Sequence, residues 1–418
     1  MQENIIVGLD IGSRSIKMAA GELVVTGDKE QLHILGAVEV PSEGIKKGVI
    51  SNVEDVISSI SICRDRLERV MNIPIERIYA SVNTNQLLCQ ESRGLVGVGR
   101  PNGEIVGEDT YRALEQAQTV VRPSNYEILH VIPKGYSVDG QPNIKDPIGM
   151  TGIRLEVDAF LIQMPLTHLK NLTKCIHRTT MEIDDVVLGI LANAESMLTP
   201  KQKDFGAAVI DIGAATTGVA VYEEGDLIHL AILPIGSDYI TQDINLCFKI
   251  SLEIAEKLKI KYGSASPKNV SKKEEINLIN EGYGEEEIIS RKALTEIIEA
   301  RVEEIFSKVN AELIKVGLAG LLPAGAVLCG GGAKLEGIVE LAKKELKLPV
   351  SIGYPLDVSS VSEKISDPSF STAISLVKWG SLNQDFSVDT VKKIMHKLKG
   401  FAGKGLTILR GGFKSIWK

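Results

Sequence analysis

The sequence lacks the features of a secreted, membrane-spanning or zinc-binding protein. Its 418 residues include only five cysteines, which are scattered and form no C-x-x-C pair. This indicates reduced cytoplasmic thiols rather than a zinc site or a disulfide framework. No uninterrupted apolar run reaches the roughly 18 residues of a membrane span, and the N-terminus has no basic region followed by a cleavable apolar stretch. We therefore expect neither secretion nor a transmembrane helix.

An excess of basic residues is also missing, but the charge is unevenly spread. Lys and Arg number 47 against 54 Asp and Glu, for a net charge of -7, which argues against a general nucleic-acid-binding protein. Residues 390–418 nevertheless hold eight basic residues and no acidic one. The sequence thus predicts an acidic body with a basic tail.

Short apolar runs followed by glycine recur along the chain and alternate with helical patterns, which predicts an α/β fold. The three runs end in Asp10-Ile11-Gly12, Asp211-Ile212-Gly213 and Gly330-Gly331-Gly332. Apolar residues at spacings of three and four predict helices over residues 53–70, 107–121, 166–179, 186–198, 237–248, 252–262, 291–316 and 335–346.

The first two of these units are near copies of each other. After each Asp-Ile-Gly comes a short polar turn and a second apolar strand, Ile16 to Leu23 in the first and Gly218 to Tyr222 in the second. This pattern predicts two β-hairpins, one in each half of a duplicated domain. Residues 80–165 are rich in β-type patterns and glycine, and we interpret them as a subdomain inserted into the first half.

Each hairpin turn offers backbone N–H groups that converge on one point, and such a row of donors binds an anion. Two hairpins that face each other would hold a triphosphate from both sides. Asp10 and Asp211 would then lie beside a magnesium ion that keeps most of its waters. Lys17 returns along the second strand and is placed to pair with a phosphate.

The glycine triplet Gly330, Gly331 and Gly332 ends a strand. Glycines there would let the backbone approach a flat ring and a sugar without interference from a Cβ. The alternative, a plain turn from strand to helix, would need one glycine rather than three. We therefore expect the triplet to line a nucleoside pocket.

In this order, the three motifs resemble the phosphate-1, phosphate-2 and adenosine motifs of the actin, Hsp70 and sugar-kinase superfamily. Within it the sequence most closely resembles the FtsA family of bacterial actin-like cell-division proteins. The most family-specific segment is Asp146-Pro-Ile-Gly-Met-Thr-Gly-Ile-Arg-Leu-Glu156, inside the predicted insertion. The resemblance runs from residue 5 to about residue 383.

This resemblance implies an α/β fold with duplicated actin-like (ribonuclease-H-like) domains around a nucleotide cleft and an inserted α+β subdomain. The implied first domain comprises residues 1–79 and 166–198, and residues 80–165 form the insertion. The implied second domain comprises residues 199–383, with a smaller subdomain at about 230–305 and a return to the first domain at about 367–383. Residues 384–418 form a linker and the tail.

The resemblance also implies a site for ATP and Mg²⁺. The implied phosphate contacts of the two hairpins are Gly12, Ser13, Lys17, Gly213, Thr216 and Thr217. Asp10 and Asp211 would position the magnesium ion. Glu256 and Lys259 fall where the family contacts ribose and adenine, with an exposed helix face as the alternative, and Gly330, Gly331 and Gly332 would complete the adenosine pocket.

Two departures from the superfamily pattern concern hydrolysis. In hydrolytic relatives a Glu or Gln near the start of the helix before the second hairpin orients the attacking water. Here the predicted helix begins with apolar residues at Val186, and Asn193 and Glu195 come later. Ala214-Ala215 also replaces a Gly-Gly pair, which restricts φ but keeps the N–H donors. We therefore expect ATP binding with slow or absent hydrolysis.

The basic tail predicts an amphipathic membrane helix. A first stretch, residues 391–401, alternates apolar and basic residues, and a second has the apolar or basic residues Leu406, Leu409, Arg410, Phe413, Lys414, Ile416 and Trp417. A helix with one apolar face and a rim of cations lies flat in the bilayer interface, and each cation near an anionic leaflet contributes about 1 kcal/mol. FtsA-like proteins end in such a helix; a docked C-terminal helix or a disordered basic arm for RNA is the alternative.

The function implied by the resemblance is that of an ATP-binding scaffold. It would polymerise on the cytoplasmic face of the cell membrane at the division site and tether the FtsZ ring. The FtsZ C-terminal peptide would bind the small subdomain of the second half, where Arg301 and Glu304 are candidates and ordinary surface charge is the alternative. The insertion would face neighbouring filament subunits or other division proteins.

Two other classes of protein remain as alternatives. A sugar or metabolite kinase would share the hairpins, but it would need a catalytic Asp in a substrate pocket and would have no use for a lipid-seeking tail. An Hsp70-like regulator or a pilus-assembly adaptor would lack the segment from Asp146 to Glu156.

Overall fold

The computed structural model describes residues 5–26, 29–46, 48–120, 122–282, 287–360 and 363–384. The predicted membrane segment, with Leu406, Leu409, Arg410, Phe413, Lys414, Ile416 and Trp417, lies outside these residues. Within them, helices flank three larger sheets and the α/β prediction is confirmed. No helix in this part of the chain combines the length and the apolar character that crossing a membrane requires.

The secondary-structure elements are numbered in chain order. The strands are β1 (Ile5–Ile11), β2 (Ser15–Thr26), β3 (Lys29–Pro41), β4 (Ile45–Lys46), β5 (Val49–Ile50), β6 (Arg77–Val82), β7 (Leu88–Gly97), β8 (Tyr126–Val138), β9 (Gln141–Ile144), β10 (Arg154–Pro165), β11 (Glu182–Leu188), β12 (Ala207–Ile212), β13 (Thr217–Glu223), β14 (Asp226–Leu233), β15 (Glu275–Asn277), β16 (Ile288–Ser290), β17 (Ala326–Cys329), β18 (Val350–Ile352) and β19 (Val358–Ser360). The helices are α1 (Val53–Met71), α2 (Gly107–Ala117), α3 (Leu166–His177), α4 (Gly189–Met197), α5 (Pro200–Phe205), α6 (Ser237–Phe248), α7 (Leu252–Tyr262), α8 (Arg291–Lys315), α9 (Ile338–Leu346) and α10 (Ser371–Gln384).

The two large sheets share one plan. The first has the strand order β3-β2-β1-β6-β11, with β19 added at the β3 edge, and the second has the order β14-β13-β12-β17-β18. In both, the first strand pairs antiparallel with the next strand in the chain and parallel with the strand that comes fourth in chain order within that sheet. The predicted duplication is therefore confirmed. Because β1 and β12 hold equivalent positions, their carboxyl ends carry Asp10 and Asp211 at equivalent points.

The insertion forms a separate layer with its own core. Its sheet has the order β7-β10-β8-β9, and α2 packs against β7 and β10. Gly94 permits this packing, because a Cβ there would lie 1.9 Å from the carbonyl oxygen of Ala113. The predicted boundary at residue 80 falls inside β6, whose residues Ala80 to Val82 pair with β11 of the first sheet. The inserted segment thus begins after Val82.

Two predicted helix starts are wrong. Val186, Val187 and Leu188 belong to β11, because these apolar residues are buried in pairing with β6, and α4 begins only at Gly189. After the glycine triplet, residues 331–334 form a 3₁₀ turn, and α9 begins at Ile338 rather than Leu335.

Two helices join the halves of the molecule. α4 packs on β12 and β13 of the second sheet, whereas α10 packs on β1 and β2 of the first, and the two helices contact each other. Buried polar groups link them: the Ser196 and Ser375 hydroxyl oxygens lie 2.5 Å apart, and the Asn193 amide donates to the Thr372 hydroxyl at 3.1 Å. The junction between the halves is therefore hydrogen-bonded as well as packed.

Candidate functional site

The two hairpin turns close with the same backbone hydrogen bond. The Gly12 N–H donates to the Ser15 carbonyl at 3.2 Å, and the Gly213 N–H donates to the Thr216 carbonyl at 2.9 Å. A Cβ at Gly12 would lie 2.7 Å from the Ser15 carbonyl oxygen, so the first turn excludes larger residues at that point. Equivalent backbone geometry thus faces the cleft from both halves.

Asp10 is buried at the end of β1 and is held from two sides. It lies opposite Lys17 in the β1–β2 register, and the Ser81 hydroxyl donates to Asp10 Oδ1 at 2.7 Å. Ser81 in turn accepts the Ile11 N–H at 3.1 Å. Burial raises the pKa of Asp10, and the charge of Lys17 opposes that rise.

Asp211 occupies the equivalent point of the second half but has a different environment. The Asn193 amide donates to Asp211 Oδ2 at 3.0 Å. Burial raises the pKa of Asp211 to about 7, and the negative charge of Asp10 contributes to the rise. The two carboxylates therefore lie close enough to repel each other, and oxygen donors in this arrangement suit a hard divalent cation such as Mg²⁺.

Lys17 supplies a buried positive charge beside the first turn. Its ammonium lies 3.2 Å from Glu39 Oε1 and donates to the Ser15 hydroxyl at 2.5 Å. The ammonium also lies 5.9 Å from the centre of the Phe370 ring. These contacts hold the cation next to the turn that the sequence predicts to bind phosphate.

The hydroxyls of the two turns differ in their freedom to bind an anion. Ser13 accepts a hydrogen bond from the Gly48 N–H at 3.0 Å, which leaves its own O–H as a donor. Thr217 is fully buried and donates its O–H to the Ile235 carbonyl at 2.8 Å. The Thr217 hydroxyl is thus not free to donate to phosphate, because its single proton is already used; that Thr216 and Thr217 close the phosphate site stays a prediction.

The glycine triplet has a packing reason that the sequence argument missed. Gly330 has a φ of 82°, and a Cβ there would lie 2.2 Å from Asp211 Oδ1. At Gly332 a Cβ would lie 2.4 Å from the Ile212 side chain. The expectation that a plain turn needs only one glycine is therefore wrong. Gly331 is the member that could carry a side chain, since a Cβ there would make only an ordinary contact, 3.8 Å from the Ser369 Cβ.

Glu256 is buried on α7 and the Lys259 side chain is only 10% exposed, so the alternative of an exposed helix face is wrong. Lys259 Nζ lies 2.7 Å from Glu256 Oε2, and it donates to the Thr241 hydroxyl at 2.9 Å and to the Ser237 carbonyl at 3.2 Å. Burial lowers the pKa of Lys259, and Glu256 opposes that change. A buried, paired charge cluster thus lies at the predicted nucleoside end of the site.

Comparison with known proteins places this architecture in a family. The family model "Cell division protein FtsA" matches residues 208–375, and the model "SHS2 domain inserted in FTSA" matches residues 84–163. Relatives described as cell division protein FtsA include those of Pseudomonas aeruginosa, 35% identical over 91% of this chain and 90% of the relative, and Borreliella burgdorferi, 35% identical over 100% of both. The Bacillus subtilis relative is 36% identical over 90% of this chain and 83% of its own. The chain belongs to the FtsA family.

Solved structures of other proteins share the fold at low sequence identity. A PilM–PilN type IV pilus biogenesis complex has a TM-score of 0.64 at 15% identity and covers 90% of this chain and 98% of its own. MreB5 of Spiroplasma citri bound to ADP has a TM-score of 0.51 at 14% identity and covers 96% of this chain and 100% of its own. These likenesses confirm the actin-like fold, whereas the FtsA relatives, at more than twice the identity, identify the chain as an actin-like cell-division protein.

Arg301 and Glu304, the predicted FtsZ contacts of this FtsA-family chain, are neighbours on α8 that already carry partners. Arg301 makes a two-pronged ion pair with Asp243, with N–O distances of 2.5 and 2.8 Å, and also contacts Glu304. The Tyr239 ring centre lies 5.6 Å from the guanidinium. A peptide would therefore meet a preformed charged cluster rather than a free arginine.

Sequence reasoning missed two polar side chains of the site, Ser81, which binds Asp10, and Asn193, which binds Asp211. Because α4 begins at Gly189, Asn193 lies one turn into the helix, where its amide reaches Asp211. Gly189 itself offers no side chain, and a Cβ there would lie 2.9 Å from Asn83 Oδ1. Ser81 had no signal in the sequence, because only the β1–β6 pairing brings it to Asp10.

Proposed function

We propose that this chain binds ATP with Mg²⁺ between its two hairpin turns. The observation that carries the proposal is that two equivalent hairpins, one in each half, place Asp10 and Asp211 at the ends of β1 and β12, each followed by a turn closed by a glycine N–H. The fold is that of MreB5 of Spiroplasma citri, whose solved structures hold ADP and AMPPNP. The turn N–H groups of Gly12 and Gly213 supply the anion donors.

Bound Mg²⁺ would supply positive charge next to the β- and γ-phosphates. Asp10 and Asp211 would hold the ion through its waters, and its charge would offset both the burial and the repulsion by Asp10 that raise the pKa of Asp211. Lys17 and the Ser13 hydroxyl would pair with phosphate oxygens. Glu256 and Lys259 would contact the nucleoside, and Gly330, Gly331 and Gly332 would complete the adenosine pocket.

In this proposal ATP acts by binding, which changes the conformation of the chain, rather than by being hydrolysed. The first turn of α4 is built from Gly189 and apolar residues, and the amide N–H groups of Asn193, which begins the second turn, already bind Asp211 and Thr372. We infer that α4 provides no side chain to orient an attacking water. Hydrolysis would therefore be slow or absent. Nucleotide would instead favour a closed arrangement of the two halves that is competent for self-association.

The cellular role that fits this site is a cell-division scaffold at the cytoplasmic face of the membrane. We propose that the chain polymerises there and anchors the FtsZ ring, with the FtsZ C-terminal peptide binding near Arg301 and Glu304. The insertion would face adjacent subunits or other division proteins. The basic tail over residues 384–418 would bind anionic lipid by its apolar face and its cations.

Calorimetry tests the nucleotide proposal. Titration of ATP in the presence of Mg²⁺ into the full chain should release or absorb heat with one site per chain, and EDTA should weaken the binding. A chain that is folded by circular dichroism and shows no association with ATP would refute the proposal.

Vesicle sedimentation tests the membrane role. The full chain should pellet with vesicles containing an anionic phospholipid and remain in solution with purely zwitterionic vesicles. A chain truncated after Gln384 should fail to pellet with either. Equal pelleting of the full and truncated chains would remove the tail from the proposal.

A further inference from the structure

Arg14 lies in the first hairpin turn, and its side chain leaves the first half of the molecule. Its Nη1 is 3.1 Å from Asp238 Oδ1, and its Nη2 is 3.2 Å from Glu256 Oε1. Asp238 belongs to the first turn of α6 and Glu256 to α7, both in the second half. One guanidinium thus joins the phosphate turn of one half to two carboxylates of the other.

Asp238, the partner of Arg14 at the start of α6, is attached to the second hairpin turn. The Asp238 N–H donates to the Ala214 carbonyl at 2.9 Å, and the Ser237 N–H donates to the Gly213 carbonyl at 2.9 Å. The start of α6 is therefore fixed to the second turn by two backbone hydrogen bonds. As a result, a continuous path runs from the first turn through Arg14 and Asp238 to the second turn.

A second branch of the path reaches the predicted nucleoside contacts. Glu256 binds Arg14 through Oε1, and through Oε2 it binds Lys259 and accepts a hydrogen bond from Thr241. The Glu256 and Lys259 side chains are only 12% and 10% exposed, whereas the Arg14 side chain is 50% exposed. Arg14 thus links the first hairpin turn to Asp238 and Glu256 of the second half. Because its side chain is exposed, it can be substituted without opening the core.

We propose that Arg14 is a positioning residue that holds the two hairpin turns together across the cleft and thereby slows the release of nucleotide. This inference rests on the proposed nucleotide binding. A planar guanidinium satisfies two carboxylates at once, which a lysine ammonium at the same point does less well. Because the ion pair is half exposed, its effect is modest and falls with salt.

The test measures the release of a fluorescent ATP analogue, chased by excess ATP with Mg²⁺, from full-length protein. Arg14→Gln should speed release about threefold at low salt, the effect expected of an exposed ion pair. Asp238→Asn should speed release by less, because the contact between Arg14 and Glu256 remains. Arg14→Lys should fall between Arg14→Gln and the wild type. The double variant should release nucleotide no faster than Arg14→Gln alone, because both substitutions break the same link.

Arg93→Gln is the matched control. The Arg93 guanidinium also bridges two carboxylates, at 2.7 Å from Asp158 and 3.5 Å from Glu156, but all three residues lie in the insertion. The Arg93→Gln variant should release the ATP analogue at the same rate as the wild type. Equal release from Arg14→Gln and the wild type, or additive effects of Arg14→Gln and Asp238→Asn, would overturn the positioning role.

A measurement without nucleotide separates this inference from the proposed function. Hydrogen exchange of residues 237–248 in nucleotide-free protein should be faster in Arg14→Gln and Asp238→Asn than in the wild type and in Arg93→Gln. Unchanged exchange would contradict the cross-cleft link. If the wild type bound no ATP analogue, the proposed function would fail instead, whatever the exchange shows.

Discussion

The two hairpin turns have the same backbone hydrogen bond but differ in charge. Both close with a glycine N–H bonded to a carbonyl three residues later, and both follow a strand that ends in aspartate. The first turn adds Arg14 and Lys17, whereas the second continues with two alanines and two threonines. Duplication has therefore kept the anion-binding backbone, while the positive charges lie on one side of the cleft.

Packing explains why the second hairpin has no counterpart of Lys17. Lys17 lies opposite Asp10 in its hairpin, and the residue opposite Asp211 is Gly218. A Cβ at Gly218 would lie 3.0 Å from the Ile190 Cβ, because α4 packs on this strand. The same helix carries Asn193, whose neutral amide binds Asp211 where a lysine cannot be placed.

The largest effect is expected when the cation of the first turn is removed. Lys17→Met should weaken ATP binding by about ten- to a hundredfold, because a hydrogen bond between charged groups contributes about 1.5–3 kcal/mol. Calorimetry with Mg²⁺ provides the measurement. An affinity within twofold of the wild type would show that the positive charge of the first turn is not used.

The next largest effect is expected in the pH dependence of stability, which follows from the raised pKa of Asp211. Burial and Asp10 raise its pKa from the ordinary 3.8 to about 7 in the folded chain. Between pH 4 and 7 the folded state therefore binds more protons than the unfolded state, and stability falls as the pH rises through this window. Asp211→Asn should remove this fall.

Thermal unfolding from pH 5 to 8, without nucleotide or metal, provides the measurement. The melting temperature of the wild type should drop relative to that of Asp211→Asn as the pH rises. Asp10→Asn should reduce the drop only in part, because burial is the larger cause of the raised pKa. Parallel curves for all three proteins would contradict the electrostatic contact between the two aspartates.

Removal of the Asn193 amide should have an intermediate effect. Asn193→Ala leaves Asp211 and the Thr372 hydroxyl without their shared partner in a buried site, so unfolding free energy should fall by about 1–3 kcal/mol. Urea unfolding monitored by circular dichroism tests this. A loss below about 0.5 kcal/mol would indicate that the amide is not needed for the environment of Asp211.

The smallest effect on nucleotide is expected at Thr217. Thr217→Val removes the hydrogen bond to the Ile235 carbonyl, so stability should fall by about 1 kcal/mol, while ATP affinity should stay within twofold of the wild type. Ser13→Ala, which removes a hydroxyl that is free to donate, should lower affinity by more than Thr217→Val does. The reverse order would contradict the assignment of the two hydroxyls.

Local sequence patterns were sufficient to predict both hairpins and most helices. α6 and α7 have the predicted bounds, because apolar spacing and flanking polar residues mark both ends. The start of α4 was wrong because Val186 to Leu188 suit a buried strand and a buried helix equally, and only pairing with β6 decides between them. α10 was not predicted at all, since its apolar residues surround most of the helix.

The backbone of the site could be predicted from the sequence, whereas several of its side chains could not. The Asp-Ile-Gly repeats locate both turns, because their chemistry lies within a few consecutive residues. Ser81 reaches Asp10, Asn193 reaches Asp211 and Arg14 reaches Asp238 across 71, 18 and 224 positions, respectively. Such contacts depend on how the sheets and halves pack, which no local pattern encodes.

A crystal structure of the full chain with a non-hydrolysable ATP analogue and Mg²⁺ tests the central claim most directly. The account predicts β- and γ-phosphates within hydrogen-bond distance of backbone N–H groups in both the Gly12 and the Gly213 turns, with the ion between Asp10 and Asp211. Phosphates bound by one turn alone, or a nucleotide bound outside the cleft, would contradict it.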